Sequence, residues 1–220
     1  MLVGRVDALY PTTSAAISSP INTAIMAKMT PIPTTKYLLL LAVVIGHSLL
    51  GGYYAGTRPE GAGWRFFSWH PFLMMVGMVG LMGTATLTKK RMGYTNTKLH
   101  GMIAWAGLMS SYAGFYVIYQ NKNDMGKDHY TTLHSKAGLA ALVGSTMLGL
   151  AGGVFLHPDF GIDKQNGLIR TGHKFASRAM LGVAWMATLS GLQTLIGEDD
   201  VKGLLFFAAP LVLAAPFTLL

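Results

Sequence analysis

The sequence predicts an all-α, multi-pass transmembrane bundle of six helices, on three observations. Charged residues make up 12% of the 220 residues and hydrophobic residues 51%, about half the charged share a soluble domain uses to cover its surface. Six apolar runs each approach the ~20 residues that a helix needs to cross a bilayer. No stretch alternates apolar and polar residues as a barrel strand does, so the helix is the spanning form that remains.

The spans follow one another with short links. Span one covers 36–56 and contains His47. Span two, 69–88, opens on Trp69-His70-Pro71 and carries Gly77, Gly80 and Gly83. Span three covers 99–120, and span four, 133–156, holds Gly149 and Gly153 at small-xxx-small spacing. Such glycines let helices approach closely, or leave room for a flat cofactor. Span five covers 173–196. Span six, 203–220, is short and carries Pro210 and Pro216, which predict a tilt or a break. The links at 57–68, 89–98, 121–132, 157–172 and 197–202 are too short to fold alone. The membrane domain is therefore 36–220, with a central four-helix core at 66–196. Residues 1–35 are rich in Ser, Thr, Pro and Ala with one acid, Asp7. They read as an N-terminal extension, either the remnant of a targeting peptide or an extended arm.

The charges are asymmetric. With six spans both termini share one face, and that face collects eleven Lys and Arg against three acids. The opposite face carries six of each, so the whole net charge of +8 lies on one side. The positive-inside rule places this basic face, with both termini, toward cytosol, stroma or matrix. Tyr53, Tyr54, Trp64, Phe66, Phe67 and Trp69 suit an aromatic belt at the neutral face. The basic residues are too interrupted by apolar runs to form a nucleic-acid groove. Every acid falls in a loop, which argues against a proton or cation carrier. With no cysteine, disulfides, zinc fingers and iron–sulfur sites are excluded.

Seven histidines remain, and four of them form a pattern. His70, His100, His134 and His173 open four consecutive spans. Successive spans reverse direction, so His70 and His134 fall at the neutral face and His100 and His173 at the basic face. Two imidazoles from facing helices can fill both axial positions of a haem iron and make it an electron carrier with no open site. Two such haems, one near each face, would form an electron path across the membrane. Lys98, Lys174 and Arg178 at the basic face and Lys136 at the neutral face are positioned to neutralise haem propionates. Chlorophyll magnesium, which takes one axial histidine, is the competing cofactor, and an interfacial or capping role is the plain alternative for any one histidine. His47 reads as a buried hydrogen-bonding residue and His157 as a loop residue. His129 and Lys127, five and seven residues before His134, stand where a haem edge or a redox partner would be met. Lys89, Lys90 and Arg91 form a basic patch able to attract an anionic reductant, although positive-inside topology alone also produces one.

The Trp-His-Pro start of span two, the histidine opening each of four spans and separations of 30, 34 and 39 residues resemble the cytochrome b561 family over about 66–196. The resemblance implies a four-helix di-haem core with flanking helices, in which His70 and His134 hold one haem and His100 and His173 the other. It implies transmembrane oxidoreductase activity, from ascorbate or a similar small donor to monodehydroascorbate or a ferric chelate. The segment Gly114-Phe115-Tyr116 to Asn121-Lys122, the Gly126-Lys127-x-His129 segment and His157-Pro158-Asp159-Phe160-Gly161 are similar to a less characterised plastid and cyanobacterial group. That similarity implies a plastid thylakoid membrane, with a vesicle or other endomembrane as the alternative. The second functional reading is a structural or pigment-associated subunit of a larger photosynthetic membrane complex, docked through spans one and six. The expected partners are the bilayer, a small-molecule donor and acceptor, and a second copy or a larger complex.

Overall fold

In the computed structural model the chain is described over residues 31–197 and 200–220; most of the predicted extension, residues 1–30, lies outside the described residues. Six helices are long and apolar enough to cross a membrane, and the protein is a multi-pass integral membrane protein. They are α1 Thr34–Gly56, α2 Phe66–Lys89, α3 Tyr94–Asp124, α4 Leu133–Leu156, α5 Gly167–Ile196 and α6 Val201–Thr218. No strand occurs among the described residues.

The helix ends follow from local chemistry. Thr132 caps α4 in a reciprocal box with Ser135. Asn166 caps α5, its Oδ1 accepting from the Leu168 and Ile169 amides at 2.9 and 3.1 Å. This cap starts α5 six residues before the apolar run does, so His173 lies inside the helix instead of opening it. In the same way α3 begins at Tyr94 behind Gly93, whose φ of 88° suits glycine, and His100 lies well inside its first turns. Hydropathy marks where lipid begins; the hydrogen-bonded helix continues into the polar surface beyond it.

Two other features concern helix regularity, and the break expected at the α6 prolines does not occur. Pro210 and Pro216 lie within an unbroken α6. Neighbouring helices tolerate such prolines in membrane spans because the freed backbone groups are satisfied locally. Within α2, residues Met75–Leu81 form a π-helical segment between α-helical Trp69–Met74 and Met82–Lys89. Such segments insert an extra residue per turn and commonly mark functional positions.

Helices α2 and α3 form one antiparallel hairpin and α4 and α5 another, with α1 and α6 packed along α2 and α5. A central apolar layer joins all four inner helices through Met78, Leu108, Leu142 and Ala184. A second cluster ties α1 and α6 to α2 and α5 through Val44, Val79, Trp185 and Leu211. The outer surface is lipid-like: Leu50, Phe206 and Leu213 stand 74%, 75% and 69% exposed. At the neutral face Tyr53, Trp64, Phe66 and Trp69 are exposed, with Trp64 against Tyr53 and Trp69.

The α2 glycines allow close packing. A Cβ at Gly77 would stand 2.7 Å from the Gly107 carbonyl, one at Gly83 2.8 Å from Val44, and one at Gly80 would overlap Ser48. Gly77→Val is expected to destabilise the bundle by about 1–3 kcal/mol, because α3 backbone must move. Thermal unfolding in detergent checks this, with Gly101→Ala, which meets nothing within 4 Å, as the silent control.

Candidate cofactor-binding site

The structure brings His70 to His134 and His100 to His173. The ring centroids lie 6.2 Å apart in the first pair and 6.5 Å in the second, with ring planes crossed at 84° and 86°. Each pair joins the two hairpins, α2 to α4 and α3 to α5. The pairs lie near opposite ends of the bundle: His100 contacts the Ala85 carbonyl, fifteen residues along α2 from His70, or about 22 Å at helical rise.

Backbone carbonyls hold three of the four rings. His70 Nδ1 donates to the Gly114 carbonyl at 3.0 Å, His100 Nδ1 to Ala85 at 2.9 Å, and His134 Nδ1 to Ala187 at 2.8 Å. A carbonyl can only accept, so the proton sits on Nδ1 and Nε2 keeps its lone pair. That is the tautomer a metal-ligating histidine needs, and the hydrogen bond also fixes the ring's orientation. His173 Nδ1 is buried without a partner. His70 is the most enclosed of the four, 8% exposed.

Two glycines complete the arrangement, and hydropathy gives no sign of them. A Cβ at Gly191 would stand 2.5 Å from His134 Cε1, and one at Gly152 would stand 2.9 Å from His173 Cε1. Only glycine lets α5 pass behind His134 and α4 pass behind His173. Of the predicted pair in α4, a Cβ at Gly149 would meet Leu108 at 3.3 Å and Trp105 at 3.6 Å, while one at Gly153 would meet nothing within 4 Å.

The donor set fits a haem. Among the described residues no group of three or more His, Asp or Glu gathers as a bare metal ion would require. Two imidazoles suit an iron whose four other positions belong to a macrocycle. Imidazole–metal bonds of about 2.0 Å on opposite sides of one ion place ring centroids roughly 6–6.5 Å apart. At the neutral end a cavity of about 290 Å³ opens around His70 and His134. Tyr119, His129, His47 and Phe207 also line it.

The predicted polar residues separate into groups. At the basic face Lys89, the last residue of α2, and Lys90 just after it approach Arg170, Lys174 and Arg178 from α5. Burial and the nearby Arg178 and Lys174 push the Lys90 ammonium down to about 8. Arg91 instead holds the segment before α1: it donates to the Ile32 carbonyl and Thr34 hydroxyl and lies over the Tyr37 ring. Lys98 pairs with Asp159 at 2.8 Å, and Tyr94 donates to the same carboxylate. These contacts hold the Asp159 carboxyl below the usual carboxylate range and tie the α4–α5 link to α3. In that link the His157 and Phe160 rings stack at 3.7 Å. At the neutral face Lys136 is exposed and does not line the cavity. Lys127 is exposed. His129 lines the cavity, stacked on Tyr119 at 4.3 Å, its Nε2 donating to Asn123 Oδ1 at 2.9 Å.

A helical membrane bundle whose inner helices present imidazoles to one another in pairs has the architecture of a membrane cytochrome. The chain belongs to the eukaryotic cytochrome b561 family, whose model matches residues 69–198. A curated relative from Mus musculus, named transmembrane reductase CYB561D2, is 28% identical over 104 residues, which cover 44% of this chain and 47% of that protein. The chain thus matches about half the length of that relative.

Proposed function

We propose that the protein carries electrons across its membrane through two b-type haems, one held by His70 and His134 and the other by His100 and His173. The observation that carries this reading is the facing of two crossed imidazole pairs at 6.2 and 6.5 Å. Each iron, six-coordinate when bound, would supply reversible one-electron storage. The chain's own residues do the rest. Three Nδ1–H groups anchored on carbonyls fix their rings and leave Nε2 free to hold an iron. The apolar layer of Met78, Leu108, Leu142 and Ala184 keeps water and ions out between the two ends. Chlorophyll needs one axial imidazole and would leave half of each pair without a role, so the paired geometry favours haem.

Lys89, Lys90, Arg170, Lys174 and Arg178 form the entry for an anionic reductant such as ascorbate. A transmembrane reductase among the relatives supports a reducible small molecule, such as a ferric chelate, at the other face. The basic face then lies toward cytosol, stroma or matrix. The plastid similarity favours a thylakoid membrane, which fluorescence localisation of the full chain tests.

Proteoliposomes test the reading. External ascorbate should reduce a ferric chelate trapped inside, and His100→Ala should abolish the transfer. Reduction at the same rate by protein-free vesicles would contradict it. Entry should also depend on pH. Lys90 carries its charge below about 8 and loses it as pH rises through that value. Ascorbate-driven reduction should therefore fall above pH 8, and Lys90→Met should flatten the fall. Stopped-flow reduction measured from pH 6 to 9.5 checks this.

A further inference from the structure

We infer that His47 of α1 belongs to the His70/His134 site, where it donates a hydrogen bond to a carboxylate at the edge of the haem. The inference rests on the haem reading and gives a further imidazole, besides the two ligands, a role at that end.

The cavity around His70 and His134 does not stop at the four inner helices. His47 of α1 and Phe207 and Leu211 of α6 also line it. A planar group clamped by His70 and His134 lies across the line joining the two rings. Its edges would then meet cavity residues beyond the two ligands, among them Tyr119, His129 and His47.

Tyr119 and Tyr130, which also line this cavity, are exposed residues, and other polar groups along it are bonded within the protein. Lys122 Nζ donates to the Asp128 carbonyl at 2.6 Å, and His129 Nε2 to Asn123 Oδ1 at 2.9 Å. Thr188 and Thr194 donate to carbonyls within α5, at Ala184 and Ser190. His47 Nε2 differs in being buried, and it has no hydrogen-bond partner. An ionisable side chain within a span is expensive and normally faces a partner. Phe207 flanks the His47 ring at 5.8 Å and offers no acceptor. The Gly51 Cα faces Met75 and Phe207 so closely that a Cβ there would overlap them, so α1 is seated tightly against this end.

A b-type haem is hydrocarbon at its rim except for two carboxylates. In the tautomer that carries its proton on Nε2, His47 offers an N–H that complements a carboxylate on the group that fills the cavity. A buried carboxylate in turn requires such a donor. His47 is thus a positioning residue that touches the haem's edge and leaves the iron to His70 and His134. Withdrawing its hydrogen bond leaves more uncompensated negative charge beside the iron. That favours the oxidised form, so the potential of this haem should fall.

The test compares wild type, His47→Phe and His47→Gln, purified in detergent with their haem. Haem content is measured first, then the potential of each haem by redox titration, then the propionate modes by resonance Raman. In His47→Phe the potential of one haem should fall by about 59 mV, the shift for a tenfold change in a one-electron equilibrium. The other haem should not move. The propionate mode should change in the same variant, and His47→Gln, which keeps an N–H, should return both toward wild type. Should His47→Phe lose haem, His47→Gln decides: near-wild-type potentials support the inference, and a displaced potential or lost haem overturns it. Full haem content with unchanged potentials and propionate modes in His47→Phe would overturn the role of His47 while leaving the haem reading intact. Absence of haem from the wild type would remove both.

Discussion

Replacing His100 by alanine is expected to halve the haem content of the purified protein, from two haems per chain to one. Loss of one axial imidazole removes half the protein's hold on that iron and leaves His173 facing an empty position. The other pair lies about 22 Å away along α2 and shares no hydrogen bond with it, so His70 and His134 should keep their haem. Mutations this far apart act independently. His134→Ala should give the complementary loss, with the other spectral component retained. Pyridine haemochrome quantitation with low-temperature difference spectra checks both variants. Unchanged content in either would contradict the pairing.

A single methyl group at Gly191 should have nearly the same effect as deleting His134. The added Cβ would stand 2.5 Å from His134 Cε1 and 2.7 Å from Nδ1, closer than such atoms approach. The ring must swing away, breaking its 2.8 Å hydrogen bond to the Ala187 carbonyl and misaiming Nε2. Gly191→Ala is therefore expected to lose most of the neutral-end haem and keep the basic-end one. Gly152→Ala, with 2.9 Å to His173 Cε1, should do the reverse. Gly153→Ala, next in sequence but facing open space, should change neither. Haem content and the EPR signals of the two sites separate these outcomes. Equal effects of Gly152→Ala and Gly153→Ala would mean that general helix packing, rather than ring support, decides haem retention.

Sequence reading reached the architecture because lipid imposes a strong pattern on composition. The six apolar runs and the six helices agree to within a few residues except at the polar ends, where the Asn166 cap and the turns after Gly93 extend α5 and α3 beyond the lipid-like run. The histidines were legible for a related reason. Antiparallel spans convert positions along the chain into positions at one face or the other. What closes the site depends on register between helices, which hydropathy does not encode. Nothing in the sequence marks Gly114, Ala85 and Ala187 as the residues whose carbonyls hold three rings, or Gly152 and Gly191 as the ones that make room. The π-helical segment Met75–Leu81 carries no compositional mark either. The basic patch was legible as charge but not as partners. Lys98 meets Asp159 across a link, Arg91 turns to the start of α1, and Lys89 and Lys90 meet the cations of α5. His47 read as an internally bonded histidine; its buried Nε2 has no partner, and only the packing of α1 against α6 shows which cavity it lines.

If each imidazole pair holds one iron, the purified chain carries two haems. The most direct measurement is a reduced-minus-oxidised absorption spectrum of the purified full chain, with haem counted per polypeptide. Two bis-imidazole sites should give a b-type, low-spin signal at two haems per chain. A spectrum without that signal, or one carrying chlorophyll bands in its place, would contradict the paired-haem reading.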